Sequence, residues 1–416
     1  MVMISSSYLV QVGHTCVDQI PARENRPLET GVQTMVVSDA ADDVVVDPDT
    51  EKPDDRNSRL AWSPHGTCAI MLLFVLACAG GPGTPTEELA PVTQCGFTNP
   101  VGAGADPWVI RKDDVYYAIK SSSNKIWITR SPTLTEVYHV PATAVWAAPD
   151  TGWNRGNVWA PELHFIDGRW YIYYAAGQPG TPFTTQHAGV LQSTGPDALG
   201  GYADRGMLYT GDSAGTGMGN RWAIDLTTAQ LGTHRYAIWS GWAKNASTDK
   251  TPQQLYIAPM VNPWTIAVNR VMLSAPVESW ERGPELDLQE GPEVLQQGGN
   301  VFVVYSTRDS WLKEYALGQL RLFPAPADPM NPASWLKSGP VFTGNASVFG
   351  VGHASFTRSP DGTEDWIVYH SKTAATPGWD RTIRTQKFTW STSGAPLFGD
   401  AVREGVSMAR PAGECP

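Results

Sequence analysis

Charged side chains and long helix-forming stretches are both scarce in this sequence. Only 17% of the 416 residues are charged, and no long segment is rich in Ala, Glu, Lys and Leu, which disfavours a helical fold. Acidic residues outnumber basic ones by 41 to 30, and the net charge of −11 argues against nucleic acid or an anionic membrane as a partner. Walker, Rossmann, CxxC and HExxH motifs are absent from the sequence. Gly (40), Pro (33) and aromatic residues (10%) are abundant instead, which favours an all-β fold.

The first 94 residues differ from the rest of the sequence in composition and lack its repeated strand patterns. Residues 1–59 hold 11 acidic and 5 basic residues without a sustained period, which predicts a disordered segment or an extension upstream of the true start. Residues 60–78 resemble a signal peptide whose apolar run ends at VLAC, similar to a bacterial lipobox with Cys78 lipidated. Residues 79–94 are expected to be a linker. We therefore expect export, either secreted or as a lipoprotein of the cell surface or periplasm with a lipid anchor in the membrane. The alternative for the apolar run is a buried strand.

The five cysteines fit export. Cys16 and Cys68 precede the expected cleavage site and Cys78 would carry the lipid, so Cys95 and Cys415 remain at the ends of the following domain. An oxidising compartment would allow this pair to form a disulfide, with Cα atoms within about 7 Å. The alternative is that both are unpaired residues near the chain ends.

An internal repeat covers residues 100–410. Five aromatic strand patterns recur, VYYAIKS, WYIYYAA, RYAIWSG, VFVVYST and DWIVYHS, at spacings of 54, 65, 66 and 64 residues. Several short strands in each unit of about sixty residues are typical of propeller blades. The sequence therefore predicts a five-bladed β-propeller over residues 95–416, and a β-sandwich is the alternative. The equivalent positions are Lys120, Tyr174, Trp239, Tyr305 and Tyr369.

The strand before each aromatic strand is expected to line the central axis. Three carboxylates and a histidine lie on these strands or at their starts: Asp106, Asp225, Glu290 and His353. Trp159 lies at the corresponding place in the second unit, and Trp108 flanks Asp106. Converging carboxylates with aromatic walls suit glycoside hydrolysis, because one acid protonates the leaving oxygen while a second carboxylate activates water or attacks the sugar. Apolar walls and like charges would keep the acid protonated near neutral pH.

In this order, five motifs resemble glycoside hydrolase family 43, in particular its α-L-arabinofuranosidase branch. They are Asp106-Pro107, Trp159-Ala160-Pro161-Glu162, Ile224-Asp225, Glu290-Gly291-Pro292 and Gly352-His353. The resemblance implies a five-bladed propeller that inverts configuration, with Asp106 as general base, Asp225 as pKa modulator and Glu290 as general acid. It also implies a set of substrate-binding residues, namely Trp108, Trp159, Trp222, His353 and Arg384. Leu226 departs from the glycine that is common after the aspartate of the third blade.

The resemblance implies no required cofactor. His353 is a candidate ligand of a structural calcium ion, as the matched histidine is in some relatives, and the alternative is a hydrogen-bonded core histidine. The implied activity is release of terminal α-L-arabinofuranose from plant cell-wall arabinan or arabinoxylan. We expect the protein to be a monomer. A β-xylosidase or an endo-arabinanase of the same family remains open. A propeller that binds sugar without catalysis is the alternative from another class.

Overall fold

A computed structural model of the chain describes residues 95–216, 219–324 and 327–415. The predicted extension (1–59), signal-like segment (60–78, with Cys78) and linker (79–94) lie outside the described residues. Within the described ranges, one 3-10 turn at Pro332–Ser334 is the only helical element, and no helix is long and apolar enough to cross a membrane.

The described part of the chain is built from short β-strands. The first two are β1 (Gly96–Phe97) and β2 (Gly102–Ala103). The others are β3 (Trp108–Lys112), β4 (Val115–Ser122), β5 (Lys125–Ser131), β6 (Thr143–Ala147), β7 (Gly156–Ile166), β8 (Arg169–Gly177), β9 (His187–Ser193), β10 (Tyr202–Met207), β11 (Ala223–Leu231), β12 (His234–Trp242), β13 (Gln253–Asn262), β14 (Thr265–Ile266), β15 (Val271–Ser274), β16 (Gln289–Gln297), β17 (Asn300–Thr307), β18 (Ala316–Leu322), β19 (Trp335–Phe342), β20 (Phe349–Arg358), β21 (Asp365–Lys372), β22 (Arg381–Trp390), β23 (Pro396–Leu397) and β24 (Met408–Ala409).

Five antiparallel sheets form the blades of a propeller, as the repeat predicted. They contain β3–β6, β7–β10, β11–β15, β16–β19, and β20–β22 with β2 and β23. The first strands, β3, β7, β11, β16 and β20, contact one another in a closed ring and are innermost. The five aromatic patterns are the second strands, β4, β8, β12, β17 and β21. Their rings pack between blades, and Tyr173, Tyr305 and Tyr369 are fully buried there.

The ends of the domain close the ring. Strand β2 joins the last blade by pairing Gly102 with Ile383 of β22, and β1 pairs with β24. Cys95 and Cys415 are joined in a disulfide with Cα atoms 6.1 Å apart, across a sequence separation of 320 residues. An N-terminal strand thus completes the C-terminal blade, which covers an edge that would otherwise be open to unwanted pairing.

Tight turns connect the strands within blades. Asp113 and Asp114, with φ of 50° and 62°, form the turn between β3 and β4. Asp167 and Gly168 do the same between β7 and β8, with φ of 48° and 80°. Asp and Gly tolerate this left-handed region, which two-residue hairpins require. These aspartates therefore act as turn residues.

Candidate active site

The inner strands share one irregularity near the end that carries the predicted site. Each blade has a residue with a left-handed backbone at this place, in the inner strand or just before it, and the register of pairing shifts beside it in blades two to five. These residues are Asp106 (φ 51°), Ala160 (39°), Asp225 (53°), Gly291 (52°) and His353 (47°). Such bulges re-aim side chains and are common beside active sites, and the left-handed conformation costs non-glycine residues about 1–3 kcal/mol. The surrounding blades hold this conformation in place.

Asp106 lies among three basic side chains of the fifth blade. Its Oδ1 is 3.3 Å from Nδ1 of His353, 3.3 Å from Nδ1 of His370 and 3.4 Å from Nη1 of Arg381. Its backbone N–H donates to Nδ1 of His370 at 3.1 Å. Burial alone would raise the pKa of Asp106, but the positive charge of Arg381, with contributions from His353 and His370, outweighs burial and holds it well below its usual value. Asp106 is therefore ionised at neutral pH.

Asp225 and Glu290 form a buried pair of carboxyl groups on neighbouring blades. Oδ2 of Asp225 accepts the backbone N–H of Gly291, the residue after Glu290, at 3.0 Å. Burial, together with the charges of Glu290 and Asp106, raises the pKa of Asp225 well above its usual value. Burial and the charge of Asp106 raise the pKa of Glu290 to about 7, against the opposing effect of its hydrogen bond from Tyr315. Burial and mutual repulsion thus favour keeping a proton on this pair near neutral pH, whereas Asp106 is ionised.

Tyr315 connects the surroundings of Glu290 with those of Asp106. Its hydroxyl donates to Oε1 of Glu290 at 2.9 Å, and its ring stacks on the ring of His370 at 5.5 Å with an interplanar angle of 8°. The ring also lies against Gly352, where an added Cβ would overlap its edge. The glycine is therefore needed for space, and Tyr315 is held in one position.

A second buried acidic group lies two residues further along the inner strands. Glu162 Oε2 is 2.8 Å from Nε2 of His164, and the ring of Trp108 packs over His164 at 4.6 Å. Glu293 of the fourth blade is hydrogen-bonded to Glu162, and burial followed by the charge of Glu162 raises its pKa well above the usual value. Burial thus favours the protonated form of Glu293, which can donate to Glu162.

The predicted tryptophans have different surroundings. Trp108 and Trp159 are partly buried; Nε1 of Trp108 donates to the carbonyl of Leu163 at 2.8 Å. Trp222 is only 3% exposed, lies flat on Trp242 at 4.3 Å, and donates from Nε1 to a backbone carbonyl. Burial, the stacked face and the hydrogen-bonded edge of Trp222 thus serve packing, and the prediction that it binds substrate is not supported by its position.

The arginine beside Asp106 is Arg381 and not the predicted Arg384. Arg384 is buried and donates to Ser371 Oγ at 2.6 Å and to the carbonyl of Val402 at 3.0 Å. The two arginines are three residues apart in β22, and side chains of a strand alternate between its faces, so they point to opposite sides. The contacts of Arg384 correct the expectation that it reaches the central pocket.

His353 was also a candidate calcium ligand. Its backbone N–H is fixed by Ser306 Oγ at 2.7 Å, and its Nδ1 faces Asp106. Within the ranges the structure describes, no three His, Cys, Asp or Glu side chains are grouped so that they could hold a metal ion. The groups around His353 include ring nitrogens and the cationic Arg381, which do not fit calcium because it prefers oxygen ligands. Leu226, which departs from the glycine common at this position, is buried between the second and third blades. The left-handed conformation is adopted by Asp225 itself.

Residues 97–396 match the family described as glycosyl hydrolases family 43. The chain belongs to this family. It is therefore a glycoside hydrolase, and the resemblance of its five motifs is confirmed at the level of the family.

Relatives of this family-43 hydrolase have related activities. It is 36% identical, over 356 residues, to an extracellular exo-alpha-(1->5)-L-arabinofuranosidase of Streptomyces avermitilis, covering 82% of this chain and 71% of that protein. It is 35% identical to alpha-L-arabinofuranosidase 43 of Humicola insolens, covering 74% of this chain but only 63% of that protein. The crystal structure of an alpha-L-arabinofuranosidase from Lactobacillus brevis superposes with a TM-score of 0.67 at 31% identity, covering 74% of this chain and 98% of that one.

Sequence reasoning missed four residues of the family-43 site. His370 and Glu162 lay within recognised patterns, DWIVYHS and Trp-Ala-Pro-Glu, but received no role. Arg381 is the first residue of β22, at the same end of the propeller as Asp106. Its position could have been predicted only if the start of that strand had been known. Tyr315 lies in the loop after β17, and nothing in the local sequence marks it as a partner of Glu290.

Proposed function

We propose that the protein is an exported, exo-acting, inverting α-L-arabinofuranosidase that removes terminal arabinofuranose from arabinan or arabinoxylan. One observation carries the catalytic part: a buried Glu290 with a pKa of about 7 accompanies an Asp106 held ionised by basic neighbours. This is the protonation pattern that acid–base hydrolysis of a glycoside requires. The names of the relatives support the choice of sugar.

In the proposed reaction Glu290 is the general acid and Asp106 the general base. Glu290 donates its proton to the glycosidic oxygen as the bond from that oxygen to the anomeric carbon breaks. Asp106 takes a proton from a water molecule, whose oxygen attacks the anomeric carbon from the opposite face. The products are β-L-arabinofuranose and the shortened chain with a new hydroxyl. Both carboxyl groups then exchange protons with solvent and return to their starting states.

Asp225 is assigned a positioning role. Its hydrogen bond from the N–H of Gly291 fixes the backbone next to Glu290, which supports the orientation of the acid. Glu290 and Asp225 also repel each other when both are ionised, so the pair resists losing both protons. We expect the carboxyl groups of Asp106 and Glu290 to lie about 6.5–9.5 Å apart, leaving room for the water of an inverting enzyme.

The location, oligomeric state and cofactor requirement of the enzyme are proposed from other observations than its catalytic geometry. The Streptomyces avermitilis relative is named extracellular, which supports export. A lipid anchor at Cys78 and a monomeric state remain predictions from the sequence. Hydrolysis by two carboxyl groups consumes only water, so the proposal includes no cofactor.

A hydrolysis screen tests the proposal. Purified protein is incubated with 4-nitrophenyl α-L-arabinofuranoside, 4-nitrophenyl β-D-xyloside and linear arabinan, and the products are separated by chromatography. We expect nitrophenol from the arabinofuranoside and free arabinose alone from arabinan. Predominant cleavage of the xyloside would indicate a β-xylosidase, and early release of oligosaccharides would indicate an endo-arabinanase. Binding without release from any substrate would leave only a sugar-binding propeller.

A further inference from the structure

Two tryptophans form an exposed pair on the end of the propeller that carries the carboxyl groups. Trp379 is 60% exposed, and its ring centroid lies 5.5 Å from that of the partly exposed Trp311. Trp311 belongs to the loop of residues 308–315 between β17 and β18, and Trp379 to the loop of residues 373–380 between β21 and β22. We call this pair the aromatic rim. Two large aromatic rings that share an exposed surface beside the carboxyl groups form a candidate binding patch.

Each loop of the aromatic rim also connects to a residue of the catalytic site. The loop of Trp311 ends at Tyr315, whose hydroxyl bonds Glu290, and both aromatic side chains pack in one small cluster. The loop of Trp379 leads directly to Arg381, whose guanidinium lies 5.4 Å from the indole centroid and reaches Asp106 at 3.4 Å. The rim is therefore continuous with the catalytic carboxyl groups.

Neighbouring charges occupy part of the aromatic rim. Lys250 Nζ lies 4.1 Å from the ring centroid of Trp311 and is paired with Glu285 at 2.9 Å. This contact covers one face of Trp311 and helps to fix its ring. Trp379 is the more exposed member, so it offers the larger free surface to a ligand.

The chemistry of the reaction indicates which part of the substrate meets this surface. A general acid protonates the leaving oxygen, so the leaving sugar must lie on the side of Glu290. Glu290 is held by the same loop that carries Trp311. Aromatic faces pack well against the apolar faces of sugar rings. We propose that Trp379, supported by Trp311, forms the subsite for the sugar residue on the leaving side of the bond that is cleaved. This inference rests on the proposed function.

The test compares substrates with and without a leaving sugar. We would measure kcat/KM on α-1,5-linked arabinotriose and on methyl α-L-arabinofuranoside, whose leaving group is methanol. For Trp379→Ala the ratio of the two values should fall about tenfold, the size of one lost aromatic contact. Trp379→Phe keeps an aromatic face and should retain most of the ratio. A similar but smaller fall is expected for Trp311→Ala.

Phe323→Ala is the matched control. Phe323 is 50% exposed and has Arg321 5.8 Å from its ring centroid, but it follows the end of β18 opposite to Tyr315. Its removal should leave the ratio unchanged. If Trp379→Ala lowered both values equally, the indole would act through Arg381 and the subsite would be rejected; an unchanged ratio with unchanged rates would reject it too. Failure of the unaltered protein to cleave either arabinoside would instead refute the proposed function.

Discussion

Replacing Tyr315 with Phe should raise the pH at which activity is lost. The general acid works only when protonated, so kcat/KM should fall as pH rises through the pKa of Glu290, about 7. The hydroxyl of Tyr315 donates to Oε1 of Glu290 at 2.9 Å and favours the ionised carboxylate. A hydrogen bond to a charged group contributes about 1.5–3 kcal/mol, part of which persists with the protonated acid, and 1.36 kcal/mol corresponds to one pKa unit. The alkaline limb should therefore move upward by about one unit.

The assay is a profile of kcat/KM against pH on an arabinofuranoside with a poor leaving group. Phe keeps the ring that stacks on His370, so the surroundings of Asp106 are preserved and the acid limb should stay in place. Tyr202→Phe is the control, because its hydroxyl bonds only the carbonyl of Ala198 on the outer edge of the second blade. An alkaline limb that stays near pH 7 or moves downward in the Tyr315 variant would refute Glu290 as the acid that this tyrosine tunes.

Three other predictions concern the roles of the two catalytic carboxyl groups, the space beside Gly352, and the disulfide that joins the ends of the domain. Glu290→Gln should lower kcat/KM about 10²–10⁴-fold on poor leaving groups but much less on nitrophenyl substrates, whereas Asp106→Asn should be severe on both; equal losses everywhere would contradict the assignment. Gly352→Ala should cost about 1–3 kcal/mol in the free energy of unfolding and lower activity, because its Cβ overlaps the tyrosine ring that bonds the acid; unchanged melting and rates would contradict this. Cys95→Ser with Cys415→Ser should lower stability by up to roughly 5 kcal/mol for the 320-residue loop, and two free thiols in the exported protein would contradict the bond.

The blades could be predicted because they repeat. The second strands carry long runs of aromatic and β-branched residues with regular spacing, and that pattern reports packing between blades. Closure by β2 could not be predicted, since two residues have no measurable period and only the finished ring gives Gly102 its partner Ile383. The disulfide pairing was accessible by counting cysteines.

The site was only partly predictable. The carboxyl groups Asp106, Asp225 and Glu290 lie in or beside recognisable motifs at the same place in each blade, so their convergence follows from the fold. Their partners depend on contacts across hundreds of residues: Arg381 reaches Asp106 from 275 positions away, and a sequence cannot separate it from Arg384 without the strand boundary. Trp222 illustrates the converse, because a tryptophan near a site can equally be core.

The stereochemistry of the first product tests the central claim most directly. Proton NMR of arabinotriose hydrolysis, recorded within minutes of adding enzyme, distinguishes the anomers of the released arabinofuranose before they equilibrate. We predict that β-L-arabinofuranose appears first and the α-anomer only later by mutarotation, since water activated by Asp106 attacks opposite the bond that Glu290 protonates. Initial release of α-L-arabinofuranose, or no release at all, would contradict the account.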